Sequence, residues 1–425
     1  MTSVLQSAAH APSRVVLAVL VVVLGIGFMT PVAHANITDG TGGASARQLG
    51  IAPELLPPDM GQTALAVLVP ETGHTVSGTM LDYWRANGAA SVYGNPISEP
   101  YLAPNGYYSQ AFERGIFQFL PEVIWTDEPT VRLQPTGAAE LAPHRDETRA
   151  DGRRVAGDRR VSKTVPASGN ETRASEVYAD GGRFSTETGF SISGQFGAWY
   201  DSHEGWFYLG APISEPFRQR GVMVQLFRNG MLMEQEGIVR PASLPAENPA
   251  RYGVDQLAPV TADLPVYDES LFVQVFNPYG IDTTGLPGRR SIVIDISEQK
   301  LTAYQGNQVI LETLVSTGLA PNETEIGAFH VRMKFPAQDM AGFTDSSGEV
   351  ISVGSAEGEG RGESYSVEDV PNVLYINYDA EALHGAYWHN KFGQRMSHGC
   401  INLPLDVAAF IYQWAPLGTA VTVIE

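Results

Sequence analysis

The chain has 425 residues, of which 43% are hydrophobic and 17% are charged, so it is long enough for two to four domains and too apolar to be disordered throughout. The net charge of −20 argues against a general nucleic-acid binder, because affinity for phosphate comes mainly from clustered cations. A single cysteine excludes an intramolecular disulfide. The 44 glycines and 28 prolines favour short strands and many turns.

Residues 1–35 have the pattern of a secretory signal peptide. Arg14 precedes an apolar run over residues 15–29, and the small-residue pattern Ala33-His34-Ala35 follows it. This order predicts cleavage after Ala35. An uncleaved membrane anchor is the alternative, but the run is shorter than the roughly 18 residues that a membrane span needs. We therefore expect an exported protein, in the cell wall, the periplasm or the extracellular space, that meets the membrane only transiently through this segment.

An internal repeat predicts two copies of one small α+β module, over residues 70–125 and 186–238. Three blocks recur at an offset of 116 residues, as from Gly94 to Gly210: a glycine-flanked block, an aromatic pair and the block G-x-P-I-S-E-P. Each copy is expected to open with a short helix that carries the aromatic pair, and apolar strands should follow. For the individual residues, the simplest interpretation is that Gly and Pro set turns while the aromatic side chains fill a small core.

The G-x-P-I-S-E-P block and the later Q-x-F motif with its glycine turn resemble the short LGFP-type repeats of bacterial cell-surface proteins. The resemblance implies that the modules anchor the chain to the cell envelope or space it within the envelope. Cell-envelope polymers are therefore candidate partners of the two modules.

Two segments are predicted to connect the folded units. Residues 126–185 are expected to form a charged, largely disordered linker, because residues 145–173 carry eight basic and five acidic side chains and almost no large apolar ones. Residues 239–288 contain seven prolines and predict a proline-rich connector, which should act as an extended, semi-rigid spacer.

Residues 289–425 predict a mainly β domain with one short helix. Strands are expected over residues 291–296, 300–304, 308–315, 328–335, 373–378 and 420–424, with a hairpin turn at Gly306-Asn307. Pro404 suits the first turn of a helix. The apolar residues that follow it recur at helical spacing on one face: Val407, Phe410, Ile411 and Trp414.

The only cysteine, Cys400, lies in the string Ser397-His398-Gly399-Cys400-Ile401-Asn402, sixteen residues after His384. A nearby imidazole gives a thiol thiolate character, and Gly399 lets backbone N–H groups turn towards a developing oxyanion. Cys/His acyl transfer is therefore the leading hypothesis. An inert buried thiol is the alternative.

The same string, together with His384-Gly385, resembles the signature of the L,D-transpeptidase catalytic domain, the YkuD-like family. The resemblance implies a β-rich catalytic domain over residues 289–425, in an exported enzyme that forms peptidoglycan cross-links through a cysteine thioester and needs no cofactor. Peptidoglycan stem peptides would be the substrate, with Cys400 as nucleophile and His384 as general base and then acid. The backbone around Cys400 would hold the oxyanion and order the loop, through Ser397, His398, Gly399 and Asn402.

Several alternatives remain open at this stage. Asn402 stands where many family members have Arg. His384 could be oriented by Asp379, by Ser397 or by a backbone carbonyl, and a substrate contact at the rim is predicted for Tyr387 and His389. Transfer of the acyl group to water would make the protein an L,D-carboxypeptidase, and a non-catalytic envelope-binding surface protein is a further alternative. A zinc site built from His384, His389, His398 and Cys400 is disfavoured by their spacing, so no metal is expected.

Overall fold

The structure, a computed structural model, is mainly β, in agreement with the fold class predicted from the sequence. It describes residues 63, 65–123, 126–146, 181–254, 257–260, 262–274, 280, 282–353 and 363–425. The predicted signal peptide, residues 1–35, lies outside the described residues, and so do residues 147–180 of the predicted linker. Within the described ranges, no helix is long and apolar enough to cross a bilayer.

The first module, residues 70–125 with the strands that flank it, contains a β-hairpin, two short helices and a four-stranded antiparallel sheet. Its elements are β1 (Ala66–Val69), β2 (His74–Ser77), α1 (Gly78–Ala86), α2 (Ala89–Tyr93), β3 (Tyr101–Leu102), β4 (Tyr108–Phe112), β5 (Gly115–Phe119) and β6 (Val131–Leu133). The aromatic pair lies on α1, where the fully buried Trp84 donates from its indole nitrogen to the carbonyl oxygen of Gly94 at 3.0 Å.

The second module, residues 186–238 with its flanking strands, follows α3 (Thr136–Asp146) and has the same order of elements. These are β7 (Arg183–Phe184), β8 (Ser191–Ile192), α4 (Gly194–Ser202), α5 (Gly205–Tyr208), β9 (Phe217–Gln219), β10 (Val222–Phe227), β11 (Gly230–Gln235) and β12 (Ile238–Pro241). Its aromatic pair lies on α4, and the Tyr200 hydroxyl donates to the carbonyl oxygen of Gly210 at 3.2 Å.

The predicted disordered linker, residues 126–185, contains regular structure at both ends. Strand β6 and helix α3 lie near its start, and β7 lies at its end. Helix α3 docks on the second module, where the Thr136 hydroxyl donates to the carbonyl oxygen of Asn229 at 2.7 Å. A Cβ atom at Gly137 would lie 1.9 Å from the carbonyl oxygen of Phe227, so only glycine allows this close approach. The composition argument missed α3 because it rested on residues 145–173, whereas α3 packs through residues before them, including Leu141 in the core and Glu140 paired with Arg251.

The described residues of the proline-rich connector, 239–288, include segments that pack against the first module, so this part of the connector is not an extended spacer. It contains α6 (Leu244–Glu247) and 3-10 turns at Pro249–Tyr252 and Glu269–Leu271. The backbone of Leu68 accepts a hydrogen bond from Tyr267 N at 2.8 Å and donates one to Pro265 O at 2.9 Å. The ring of Tyr267 packs on Trp84 with centroids 4.8 Å apart. Proline density predicted the backbone restriction, but the partly buried Tyr267 between the prolines contributes to where the segment lies.

A buried ion cluster joins the first module, the connector and the C-terminal domain. Glu269 pairs with Arg85 at 2.6 Å and with Arg290 at 2.7 Å, and all three side chains are buried. Burial opposes the ionised form of Glu269, but the two guanidinium groups prevail and lower the pKa of the carboxyl to about 2. Arg290 also donates to the carbonyl oxygen of Trp414 at 2.6 Å. The predicted domain boundary at residue 289 therefore lies beside this cluster.

The C-terminal domain consists of two five-stranded sheets that share one core with a helix. Its elements are β13 (Arg290–Asp295), β14 (Lys300–Gln305), β15 (Gln308–Leu314), β16 (Gly327–His330), β17 (Met333–Thr344), β18 (Val350–Val353), β19 (Glu363–Tyr375), β20 (Ala382–Gly385), β21 (Ile401–Leu403), α7 (Leu405–Trp414) and β22 (Ala420–Ile424). One sheet has the order β15-β14-β13-β22-β16 and the other has the order β18-β17-β19-β20-β21. The apolar face of α7 lies in the shared core.

The hairpin at Gly306-Asn307 and the helix after Pro404 agree with the sequence prediction. The predicted strand over residues 328–335 is wrong, because the chain changes sheets there. Val331 donates to the carbonyl oxygen of Thr419 beside the first sheet, while Arg332 donates to that of Tyr375 in the second. The predicted strand over residues 373–378 is the end of the longer strand β19.

Candidate active site

Strands β20 and β21 bring His384 and Cys400 together. They pair in parallel, with His384 opposite Asn402 and Leu383 opposite Ile401. Leu383 and Ile401 are fully buried in the core beside α7, so the alternation of a strand places His384 and Asn402 on the opposite face. Cys400 immediately precedes β21, which makes it a diagonal neighbour of His384 on that same face.

The turn that carries Cys400 is held by hydroxyl groups. The Ser397 hydroxyl donates to the carbonyl oxygen of Cys400 and accepts a hydrogen bond from Gly399 N at 3.3 Å. Thr324 donates to the carbonyl oxygen of Gly399 at 2.7 Å and accepts from Gly318 N at 2.9 Å. Gly399 has φ +118°, a conformation that favours glycine, and this explains the glycine before the cysteine. Because the Gly399 amide bonds to Ser397, the amides of His398 and Cys400 remain as candidate oxyanion donors.

The sulfur of Cys400 lies in a mainly apolar pocket beside Val370, Val373 and Ala382. Burial raises the pKa of the Cys400 thiol to about 12, the charge of Glu381 raises it further, and the Ala382 amide opposes the rise. The thiol donates to the carbonyl oxygen of Ala380 at 3.9 Å. This environment favours the protonated form of Cys400.

His384 is buried, and its Nδ1 lies 3.2 Å from the carbonyl oxygen of Gly385. A proton on Nδ1 satisfies that contact and leaves Nε2 as the basic nitrogen. Burial lowers the pKa of His384 to about 4, so the imidazole is neutral at pH 7. A backbone carbonyl thus orients the ring, one of the three options left open by the sequence. The site holds a thiol and a neutral imidazole, which differs from the thiolate expected from the sequence, because burial disfavours both charged forms.

The rim residues predicted from the sequence make contacts of two kinds. His389 is half-buried, with its Nε2 3.0 Å from the side-chain amide of Asn402, so it connects the rim to the sheet face that carries the site. Tyr387 is exposed, packs edge-on against Trp388, and donates from its hydroxyl to the carbonyl oxygen of Glu368 at 2.7 Å. The Trp388 ring lies 5.7 Å from that of His384.

The ring of His398 is not grouped with His384, His389 and Cys400 as a set of metal ligands. Its ring is exposed and stacks on Tyr365 with centroids 5.5 Å apart. Over the described part of the chain, no group of three or more His, Cys, Asp or Glu side chains is arranged to hold a metal ion. The sequence alternative of a four-ligand zinc site therefore has no geometric basis among these residues.

Two residues beside Cys400 were not found from the sequence. Thr324 lies 75 positions before Gly399, and a lone threonine in a loop carries no signal of that contact. Glu381 precedes His384 by three positions, and its carboxyl lies against Gly399. An acidic residue so near the histidine could have been noted, but its direction depends on the turn at residues 377–381.

A family model and several known proteins are similar to parts of this chain. Residues 289–423 match the family model of the L,D-transpeptidase catalytic domain, YkuD. Over 53 residues, 12% of this chain, the sequence is 38% identical to the putative L,D-transpeptidase in the ATP synthase subunits region (ORF 5) of Fuscovulum blasticum. It is 24% identical to the catalytic domain of the E. faecium L,D-transpeptidase solved by NMR, with a TM-score of 0.27 over 32% of this chain and 96% of that one. The structure of the L,D-transpeptidase LdtMt1 in complex with imipenem gives 24% identity and a TM-score of 0.25 over 32% of this chain.

Residues 289–423 thus form an L,D-transpeptidase catalytic domain of the YkuD family, as the sequence motif predicted. The chain spans 28% of the length of the F. blasticum relative and 58% of the LdtMt1 chain. The family match does not extend to either module.

Proposed function

We propose that the protein is an exported peptidoglycan L,D-transpeptidase that works through a Cys400 thioester. The observation that carries the proposal is the parallel register of β20 and β21, which puts the only thiol of the chain diagonal to a neutral, oriented imidazole. The domain's family supplies the substrate class, peptidoglycan stem peptides.

In the first half-reaction, Cys400 Sγ attacks the carbonyl carbon of the third residue of a stem tetrapeptide, and His384 Nε2 takes the thiol proton. The amides of His398 and Cys400 stabilise the oxyanion in this proposal. The imidazolium then gives its proton to the departing amine, which releases the terminal D-Ala and leaves a thioester. Because the thiol and imidazole are both neutral at rest, proton transfer accompanies the attack rather than precedes it.

In the second half-reaction, the side-chain amine of another stem attacks the thioester carbonyl and loses a proton to His384. The C–S bond breaks, the thiolate regains that proton, and a 3–3 cross-link is formed. Water in place of the amine would give an L,D-carboxypeptidase, so the acceptor decides between the two activities.

The test is intact-mass analysis of the purified chain after incubation with a carbapenem, which the family resemblance suggests as a mimic of the acyl donor. We expect a single covalent adduct, and Cys400→Ala should abolish it. An adduct on the alanine variant at the parent rate would remove Cys400 from the mechanism. His384→Gln, which keeps much of the buried volume, should slow acylation about 10²–10⁴-fold, the usual range for a positioned general base.

Incubation with a stem tetrapeptide and a second stem as acceptor separates the alternatives. A cross-linked dimer is expected for the transpeptidase, and a tripeptide alone would identify the carboxypeptidase. Loss of both products, together with retained binding to isolated cell walls, would instead support a non-catalytic envelope-binding protein. We further propose that the LGFP-like modules bind or space the enzyme within the envelope, and that residues 1–35 direct export.

A further inference from the structure

The turn at residues 377–381 lies against the turn that carries Cys400, and the Glu381 carboxyl lies at the contact. Oε1 of Glu381 lies 3.2 Å from the position that a Cβ atom would occupy at Gly399. Asn377 Nδ2 donates to Oε2 of the same carboxyl at 2.9 Å, and the backbone N–H of Glu325 donates to Oε1 at 3.1 Å. The Glu381 carboxyl is therefore held by its own turn and by the segment of Glu325, and it lies beside the glycine that precedes Cys400.

The backbone on either side of Glu381 contacts the sulfur. Ala380 accepts the thiol hydrogen bond, and the Ala382 amide opposes the rise in the Cys400 pKa. The Glu381 carboxyl thus lies against Gly399, while the backbone of Ala380 and Ala382 contacts Sγ. The Glu381 side chain can therefore act on the thiol through its charge and through the backbone turn that contacts Sγ.

The charged groups that face this carboxyl are acidic. Burial raises the pKa of Glu381 to about 7, and the charges of Glu325 and Asp379 raise it further against the hydrogen bonds from Glu325 N and Asn377. Tyr365 and Tyr375 also interact with the sulfur, and burial keeps both phenols and the imidazole of His384 neutral at physiological pH. The exposed ring of His398, in the same turn as Cys400, stacks on Tyr365. Of the side chains whose charge acts on the thiol, Glu381 is therefore the one with a pKa near neutrality.

We propose that Glu381 is a positioning residue that governs the reactivity of Cys400: its carboxyl supports the Gly399 turn and places a negative charge beside the thiol whenever it is ionised. This inference rests on the proposed function only in taking Cys400 as the nucleophile. When the carboxyl is protonated, the thiol gives up its proton to His384 against burial alone. When the carboxyl is ionised, the developing thiolate also meets a like charge, and the two groups titrate as a coupled pair.

The test measures alkylation of the full chain by iodoacetamide, followed by intact mass from pH 5 to pH 10, with Cys400 as the only thiol. In the parent, the logarithm of the rate should rise with pH, flatten near pH 7 as Glu381 ionises, and rise again above it. Glu381→Gln should remove the flattening and react about three- to tenfold faster than the parent at pH 8. A shift of one unit in the thiol pKa changes the thiolate fraction tenfold, while the nucleophilicity of the thiolate falls in part.

Two variants make the result specific to the charge. Glu381→Asp keeps the charge and should keep a flattened profile. Glu325→Gln removes a neighbouring charge and should move the flattening to lower pH, because the Glu381 carboxyl then ionises more easily. Neither change is explained by a purely structural role, which would alter rates uniformly across pH.

Superimposable profiles for the parent and Glu381→Gln would overturn the proposal. If Glu381→Gln does not fold, the pH profiles of the parent and of Glu325→Gln are compared instead. The proposal is also overturned if the logarithm of the parent's alkylation rate rises with unit slope over the whole pH range and Glu325→Gln gives the same profile. Carbapenem acylation of the parent is measured in parallel. Failure of acylation with a flattened alkylation profile would contradict the transpeptidase and leave the Glu381–Cys400 coupling standing.

Discussion

The two modules share one hydrogen-bonded frame and use it in different surroundings. In the first module, Glu99 accepts hydrogen bonds from the backbone and hydroxyl of Thr75, and in the second module Glu215 does the same for Ser191. A glutamine amide then donates to two carbonyl oxygens in each copy, from Gln110 to Thr75 and Ser98, and from Gln225 to Ser191 and Ser214. The repeated motif therefore encodes a polar frame, with glutamate and glutamine as its centres.

The outer faces of the modules differ at equivalent positions. Arg85 on α1 and Asp201 on α4 are separated by the repeat offset, yet Arg85 is buried in the Glu269 ion cluster and the Asp201 side chain is 45% exposed. Asp201 pairs with Arg183, which is also exposed. A duplicated unit thus keeps the residues that hold its own chain together, while the face that meets another domain diverges.

The largest expected effect comes from removing the carboxylate that joins the first module to the C-terminal domain. Glu269→Ala leaves Arg85 and Arg290 buried without their shared carboxylate, and removing one partner of a buried ion pair costs about 3–5 kcal/mol. Asp201→Ala at the exposed face of the second module is the matched control. Chemical denaturation measures both, and equal midpoints would show that the buried cluster does not hold the interface.

The polar frames of the two modules are expected to contribute different amounts to the free energy of unfolding. Glu99→Ala should destabilise the protein by about 2–3 kcal/mol and Glu215→Ala by about 1–2 kcal/mol, since both lose charge-assisted hydrogen bonds and Glu99 is the more deeply buried. Circular dichroism melting of both variants gives the order. A larger loss for Glu215→Ala would mean that the second module carries more of the stability.

The pH dependence of stability tests the Glu269 ion cluster. The folded pKa of Glu269 is about 2, below the ordinary value of 4.5, so its contribution is fully present above about pH 5 and is lost as the pH falls towards 2. The melting temperature of the parent should therefore fall more steeply over this window than that of Glu269→Gln. Parallel curves for the two proteins would contradict the assignment.

The smallest effect is expected for the exposed pair of the second module. Arg183→Ala should change the free energy of unfolding by no more than about 0.5 kcal/mol, because an exposed ion pair gains little from its charges. A loss above about 1 kcal/mol would show that this face is packed against another part of the chain.

The sequence predicted the family of the C-terminal domain better than the packing of the segments before it. The family followed from a local and specific motif, and α7 followed from apolar spacing, while the roles of Cys400 and His384 stay predictions. Glu381 and Thr324 were missed because their roles depend on contacts between distant segments. The connector was misread because proline density says nothing about Glu269, whose two partners lie in different domains.

The position of β22 between β13 and β16 has a consequence for the timing of folding. Residues 420–424 pair with β13 on one side and with β16 on the other, so the first sheet of the catalytic domain has a gap in its middle until they are present. At synthesis rates of roughly 5–20 residues per second, β13 waits on the order of ten seconds for its neighbour. The strands of the two modules are complete well before residue 289 has been synthesised, whereas the domain that carries Cys400 can be completed only after residue 424 has been added.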